Sequence, residues 1–159
     1  MRTFLLIFIS LLFITIKTAA QPKHEIRATW ITTLGGMDWP RNKATNANGI
    51  RRQQQELRDI LDQLKEANFN TVMLQTRLRG DLIYPSAFET FPEALTGKTG
   101  RNPGYDPLAF AIEECHKRGM ECYAWFNPFR WSTGTTYNTS YDQQWRNKGW
   151  ILTYGSYSV

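Results

Sequence analysis

Two cysteines in 159 residues are too few for a disulfide-dense scaffold. Cys115 and Cys122 have no further Cys or paired His at ligand spacing, which excludes a structural zinc site; no metal and no cofactor is expected. Charge of one sign is also scarce. The net charge is +5, and Arg2 and Lys17, at the N-terminus, supply two of the positives. The remainder is too weakly basic for a dedicated nucleic-acid or anionic-membrane binder. No apolar run reaches the roughly 18 residues of a membrane span. No glycine-rich phosphate loop, serine elbow, HExxH pair or calcium loop occurs. Eleven Gly and seven Pro rule out collagen and low-complexity classes, and 42% hydrophobic with 14% aromatic residues is the composition of a globular protein.

Residues 1–20 stand apart. Met1-Arg2-Thr3 precedes an apolar run from Phe4 to Ile16, then Lys17-Thr18-Ala19-Ala20-Gln21-Pro22. A basic start, a short apolar stretch and small residues at the cut are the marks of a signal peptide. The expectation is export, with cleavage after Ala20, to the periplasm, cell envelope or medium, and no stable membrane insertion afterwards. No cysteine lies near the cut to carry a lipid. Asn138-Thr139-Ser140 fits a glycosylation sequon. Cys115 and Cys122 read as two small buried residues, with a disulfide between them as the alternative.

The rest alternates strand and helix. Glu25 to Leu34 is rich in β-branched and aromatic types and stops at Gly35-Gly36. Leu57, Ile60, Leu61 and Leu64 fall on one face of a helix over Gly49 to Asn68. A second strand, Asn70 to Arg77, precedes a loop of about 28 residues. Asp106-Pro107 then opens a helix with Leu108, Ala111, Ile112 and Cys115 as its apolar stripe, Lys117 and Arg118 in its last turn and Gly119 as its stop. Glu121 to Asn127 is the third strand, ended by Pro128. A long segment follows, with a short helix expected over Tyr141 to Arg146.

Strand, helix, strand, helix, strand at this spacing predicts right-handed crossovers and a parallel sheet. Period two puts Val72, Leu74 and Thr76, and Cys122, Ala124 and Phe126, on one face. Thr71, Met73, Gln75 and Arg77, and Tyr123, Trp125 and Asn127, lie on the other. The second row turns polar toward the C-terminal ends, as the inside of a (β/α)₈ barrel does at its mouth. Such a barrel takes about 250 residues, so 21–159 are read as its N-terminal part, about three β/α units. The competing open sheet of flavodoxin type wants a phosphate-binding turn that Leu34-Gly35-Gly36-Met37-Asp38 does not provide.

Several runs carry a more specific likeness. Arg27-Ala28-Thr29-Trp30-Ile31-Thr32-Thr33 with Met37-Asp38-Trp39-Pro40, Asn70 to Arg77 with Gly80-Asp81, Gly104-Tyr105-Asp106-Pro107-Leu108, His116 to Met120, and Ala124 to Arg130 resemble, in order, the family-10-like glycosyl hydrolases. The resemblance implies an exported bacterial (β/α)₈ barrel that hydrolyses O-glycosidic bonds in a polysaccharide, some members acting on cell-wall glycans. It also implies that the main catalytic carboxylates come from a fourth strand, downstream of Val159.

Glycoside cleavage needs two carboxyl groups about the scissile bond, and the candidates within the chain are Asp38 and Asp81, each of which has a loop-bracing alternative. For substrate contact, Gln75, Arg77 and Asn127 carry hydrogen-bonding groups suited to sugar hydroxyls, and Arg77 a planar fork of donors. Trp30, Tyr84, Trp125 and Trp131 offer flat faces to pyranose rings, and Arg130 suits an anionic group or an acidic partner. His116, near a helix C-terminus, is expected to interact with the dipole rather than take part in chemistry. The alternative function is a non-catalytic carbohydrate-binding domain that uses the same aromatics and amides.

Overall fold

The computed structural model describes residues 25–131, 140–154 and 157–158. The signal-peptide segment, its cleavage point and most of the sequon lie outside the described residues. Strand β1 (Ala28–Ile31) leads through a 3-10 turn at Leu34–Gly36 to helix α1 (Ala47–Glu66). Strand β2 (Thr71–Arg77), a one-turn helix α2 (Glu93–Thr96), helix α3 (Pro107–Lys117) and strand β3 (Glu121–Phe126) follow. Helix α4 (Ser140–Asn147) and a two-residue antiparallel pair, β4 (Thr153–Tyr154) and β5 (Tyr157–Ser158), end the chain.

The sheet is parallel in the order β1-β2-β3, with Trp30 beside Met73 beside Tyr123, and Gln75 beside Trp125. The first strand is shorter than its run of β-formers because the chain bends away at Leu34, where the 3-10 turn begins. Both helices start where side chains can take up free N–H groups. Asn46 accepts from Gly49 N at 2.9 Å, and Asp106 from Ala109 N at 3.0 Å, with Pro107 in the first turn. Gly119, at φ 64°, lets the chain leave α3 in the left-handed region.

The two long helices cover one face of the sheet. Leu57 and Leu61 from α1, Ala111 and Cys115 from α3, and Ile31, Val72 and Leu74 from the strands form one core with Met120. Loop residues complete it: Trp39, Ile83 and Leu95 are as buried as any strand residue. Gln53, fully buried on α1, joins these loops by donating to Asn42 O and Leu95 O at 2.7 and 3.0 Å and accepting from the Tyr105 hydroxyl at 2.6 Å. Burial, with the nearby Glu56 charge, pushes the Tyr105 phenol up, so it stays a donor. Cys115 and Cys122 are free thiols in contact; the hydrogen bond to Cys122 and burial keep the proton on Cys115.

The opposite face is partly exposed. Trp30 is 61% exposed and Tyr123 57%, and among the described residues no strand pairs with the outer edges of β1 and β3. Ala124 and Phe126, expected beneath a helix, are also exposed, because α1 and α3 cover Cys122 but not the far end of β3. No helix of the described residues is long and apolar enough to cross a membrane.

A buried ionic cluster ties α1 to α3. Glu114 is only 5% exposed and meets Arg118 at 2.8 Å, Lys117 at 3.0 Å and Arg58 at 3.4 Å, while Arg118 reaches across to Asp62 at 2.7 Å. Burial by itself would raise the Glu114 carboxyl, but hydrogen bonds from Arg118 and Lys117 and the Arg58 charge outweigh it and bring it down to about 2.

Two outcomes follow from this packing. A carboxyl held below its ordinary 4.5 stabilises the fold above that pH, and the contribution fades as pH falls toward about 2. Allowing for solvent screening at the helix ends, Glu114→Gln should cost about 1–2 kcal/mol in urea unfolding at pH 7, shrinking steadily between pH 4.5 and 2. The partly exposed sheet face and open edges should make the 159-residue chain self-associate. Light scattering on a sizing column should then give a mass above one chain, reduced by Trp30→Lys.

Candidate functional site

Because the three strands are parallel, their C-terminal ends lie at one end of the sheet, and the segments after β1, β2 and β3 leave from there. Gln75, Arg77 and Asn127 are brought together at that end: Arg77 bonds Asn127 directly, two residues beyond Gln75.

Gln75 is 2% exposed. Its carboxamide oxygen accepts from Thr32 Oγ1 at 2.6 Å and from Thr33 N at 3.0 Å, and Thr33 Oγ1 donates to its main-chain oxygen at 3.2 Å. Since a backbone N–H can only donate, the oxygen end of the amide is identified. Its Nε2 makes no hydrogen bond among the described residues.

Arg77 is placed as a clamp rather than as an open fork. Its Nε and Nη2 grip Glu89 at 2.8 and 2.7 Å, and Nη1 donates to the carbonyls of Asn127, Pro128 at 3.2 Å and Arg130 at 3.4 Å. This bidentate pair, 12% and 15% exposed, fastens the segment after β2 to the segment after β3. The expectation that Arg77 offers its guanidinium to sugar hydroxyls is therefore corrected: every nitrogen is already engaged. A register shift between Gln75 and Arg77 turns the side chain toward these carbonyls. Asn127 reinforces the junction by donating from Nδ2 to Leu78 O at 3.2 Å and from its main chain to Arg77 O at 3.0 Å.

The aromatic candidates divide. Trp30 lies on the partly exposed face in the row of Met73 and Tyr123, and Trp125, half-buried, in the row of Gln75. Tyr84 is half-buried in the segment after β2. Trp131 is no platform. It is 6% exposed and packs on Gly80, where any Cβ would come within 2.6 Å of its ring, and its Nε1 donates to Asp142 at 2.6 Å. Arg130 is exposed, and its carbonyl belongs to the Arg77 clamp.

The two carboxyl candidates face different spaces. Asp38 accepts from Thr32 N at 2.8 Å and lines a groove of about 660 Å³ along the outer edge of β1, with Trp30, Arg41 and Glu56. Asp81 is buried, accepts from Arg79 N at 3.3 Å and lines a separate hollow with Thr33, Lys43 and Glu93. No group of three or more His, Cys, Asp or Glu that could hold a metal ion occurs among the described residues.

The Glycosyl hydrolase-like 10 family matches residues 25–158. This chain belongs to that family. The Glycosyl hydrolase-like 10 chain is 41% identical over 140 residues to a protein named glycosyl hydrolase YngK from Bacillus subtilis, covering 86% of this chain and 27% of that one. It is also 41% identical over 122 residues to glycosyl hydrolase DigH from Escherichia coli K12, covering 74% of this chain and 28% of that one. The chain thus spans little more than a quarter of the length of these relatives. The parallel sheet with its helices is consistent with part of a (β/α)₈-type barrel.

Sequence reasoning missed Glu89, Thr32 and Thr33, which hold Arg77 and Gln75 in place. Glu89 stands 12 residues from Arg77 inside an irregular loop, so no periodicity pointed to it. The clamp yields a direct expectation. Arg77→Ala leaves Glu89 without its partner and three carbonyls without a donor, and should cost about 3 kcal/mol. Arg77→Lys, with no fork, should recover less than half of that. Thermal melts read the cost, and faster proteolysis near Pro128–Trp131 would localise it.

Proposed function

We propose that the chain forms the opening β/α units of a (β/α)₈ barrel in an exported glycoside hydrolase that cleaves O-glycosidic bonds in a polysaccharide, a bacterial cell-wall glycan being the leading class. The observation that carries this reading is the convergence of Gln75, Trp125 and Asn127 at the C-terminal ends of adjacent parallel strands, in a member of a glycosyl hydrolase-like family. Catalytic residues of parallel barrels gather at that end.

In this reading the Gln75 Nε2–H points at sugar hydroxyls, its direction set by Thr32 and Thr33. Trp125 and Trp30 lay flat surfaces against the apolar side of the rings, and Tyr84 and Arg130 contribute from the surrounding loops. Arg77 and Asn127 shape the rim without needing to touch the glycan. The acid and the base or nucleophile come from strands beyond Val159. Asp38 and Asp81, engaged locally and lining separate hollows, organise loops. Residues 1–20 direct export.

That separation of Asp38 from Asp81 also favours a second reading, a carbohydrate-binding domain without chemistry. Assay of new reducing ends with the full-length protein on purified glycan strands separates the two. Hydrolysis should be seen, should persist in Asp38→Asn, and should fall at least tenfold in Gln75→Ala. Glycan binding without any new reducing ends would establish the binding-domain reading instead.

A further inference from the structure

A second concave surface lies beside the rim and shares Glu89 with the clamp that frames the mouth. Phe88, Glu89, Trp131, Trp145, Trp150 and Ile151 line a cleft of about 310 Å³. Its floor is firm: Trp131, Trp145 and Ile151 are each less than 10% exposed and form their own small core with Tyr141. Its walls are not covered. Phe88 is 67% exposed and Trp150 66%.

We propose that this cleft is a sugar-stacking subsite, in which Trp150 and Phe88 hold pyranose rings of a glycan chain whose other units occupy the mouth. The inference rests on the glycan-directed reading above and extends it to a further position along the chain. Three features favour a pyranose over another occupant. Trp150 is held flat, its ring stacked on Trp145 at 4.9 Å and 13° and its main-chain N–H donating to Trp145 O at 3.0 Å. The aromatic face presented outward is thus set before any ligand arrives, and ordering it on binding costs little. Trp145 in turn donates from Nε1 to Phe88 O at 3.1 Å, so the two exposed rings belong to one hydrogen-bonded unit.

Charged groups also stand at the cleft, the Lys148 ammonium over the rings themselves. The Lys148 ammonium lies 4.7 and 4.8 Å from the Trp145 and Trp150 centroids, and the Glu89 carboxylate is on the lining. A ring with an apolar face and a girdle of hydroxyls suits flat aromatics accompanied by a cation and an acceptor. Finally, Glu89 is the carboxylate gripped by Arg77, and Arg77 holds the carbonyl of Asn127. One clamp therefore supports both the mouth and the cleft.

The test uses the full-length protein, with chitohexaose and cellohexaose as probes and tryptophan fluorescence as the binding readout. Trp150→Ala should weaken hexaose binding about tenfold, and the loss should be smaller for the corresponding trioses, which do not reach both positions. Phe88→Ala should act in the same direction, and Trp150→Phe, which keeps a flat ring, should bind nearly as the parent does. Lys65→Ala, on the exposed end of α1, serves as the unchanged control. Parental hexaose binding in a folded Trp150→Ala and in Phe88→Ala overturns the subsite while leaving the functional reading intact. A halving of particle mass in Trp150→Ala would likewise overturn it, by showing a chain-to-chain contact there. Failure of the parent to bind or cleave any glycan overturns the functional reading itself, and the subsite with it.

Discussion

Among the described residues, the Arg77 side chain hydrogen-bonds to Glu89, Asn127, Pro128 and Arg130. It stands where β2 ends, at a shift in the strand register, and its guanidinium spans two otherwise separate segments: Glu89 from the chain after β2, and the carbonyls of Asn127, Pro128 and Arg130 from the chain after β3. Hydrogen bonds between a planar cation and a shielded carboxylate are directional, so the clamp sets orientation as well as distance. Gly80 completes the junction from the other side, its bare Cα letting the Trp131 ring approach the backbone while Gly80 N donates to Trp131 O at 2.8 Å. These contacts, with the bonds from Asn127 to Leu78 O and from Trp145 to Phe88 O, give the long segments after β2 and β3 a common frame.

That frame explains how a glycosyl hydrolase-like chain divides its polar groups into those that build and those that are left to bind. Gln75 shows the division within one side chain: its oxygen is consumed by Thr32 and Thr33, and its nitrogen is not. Arg77 and Asn127 are spent on structure, whereas Trp30 and Trp125 keep ring surface on the sheet face away from the helices. The carboxylates follow the same logic. Asp38 and Asp81 answer main-chain N–H groups in their own loops, and Glu114 is locked among three cations on the far side of the core.

Local signals in the sequence were most legible where the chemistry is local. The cap at Asp106, the stop at Gly119, the apolar stripe of α1 and the alternation along β2 depend on neighbours within a turn or two. The helix over Tyr141–Arg146 was legible for the same reason and spans Ser140–Asn147. Glu114 was not: it sits one residue from Cys115 in an apolar stripe, and its buried charge is met by Arg58 from another helix as well as by Arg118 and Lys117. The burial of Trp131 was hidden for a like reason, since its cover comes from Gly80, about fifty residues earlier. The β4–β5 pair, two residues to a strand, was too short to leave a pattern.

The sequence by itself determined the alternation of strand and helix, the parallel sense of the sheet, the end at which Gln75, Arg77 and Asn127 collect, and the family likeness. Each of these depends on periodicity, on chain connectivity or on the order of residue types. Tertiary structure alone decided which of those polar groups remain open to a ligand. Hydrogen-bond capacity is finite, and whether a guanidinium meets a sugar or a glutamate depends on what the fold brings within 3 Å of it. The same holds for Phe88 and Trp150, far apart along the chain, which become two walls of one cleft only because Trp145 is bonded to both.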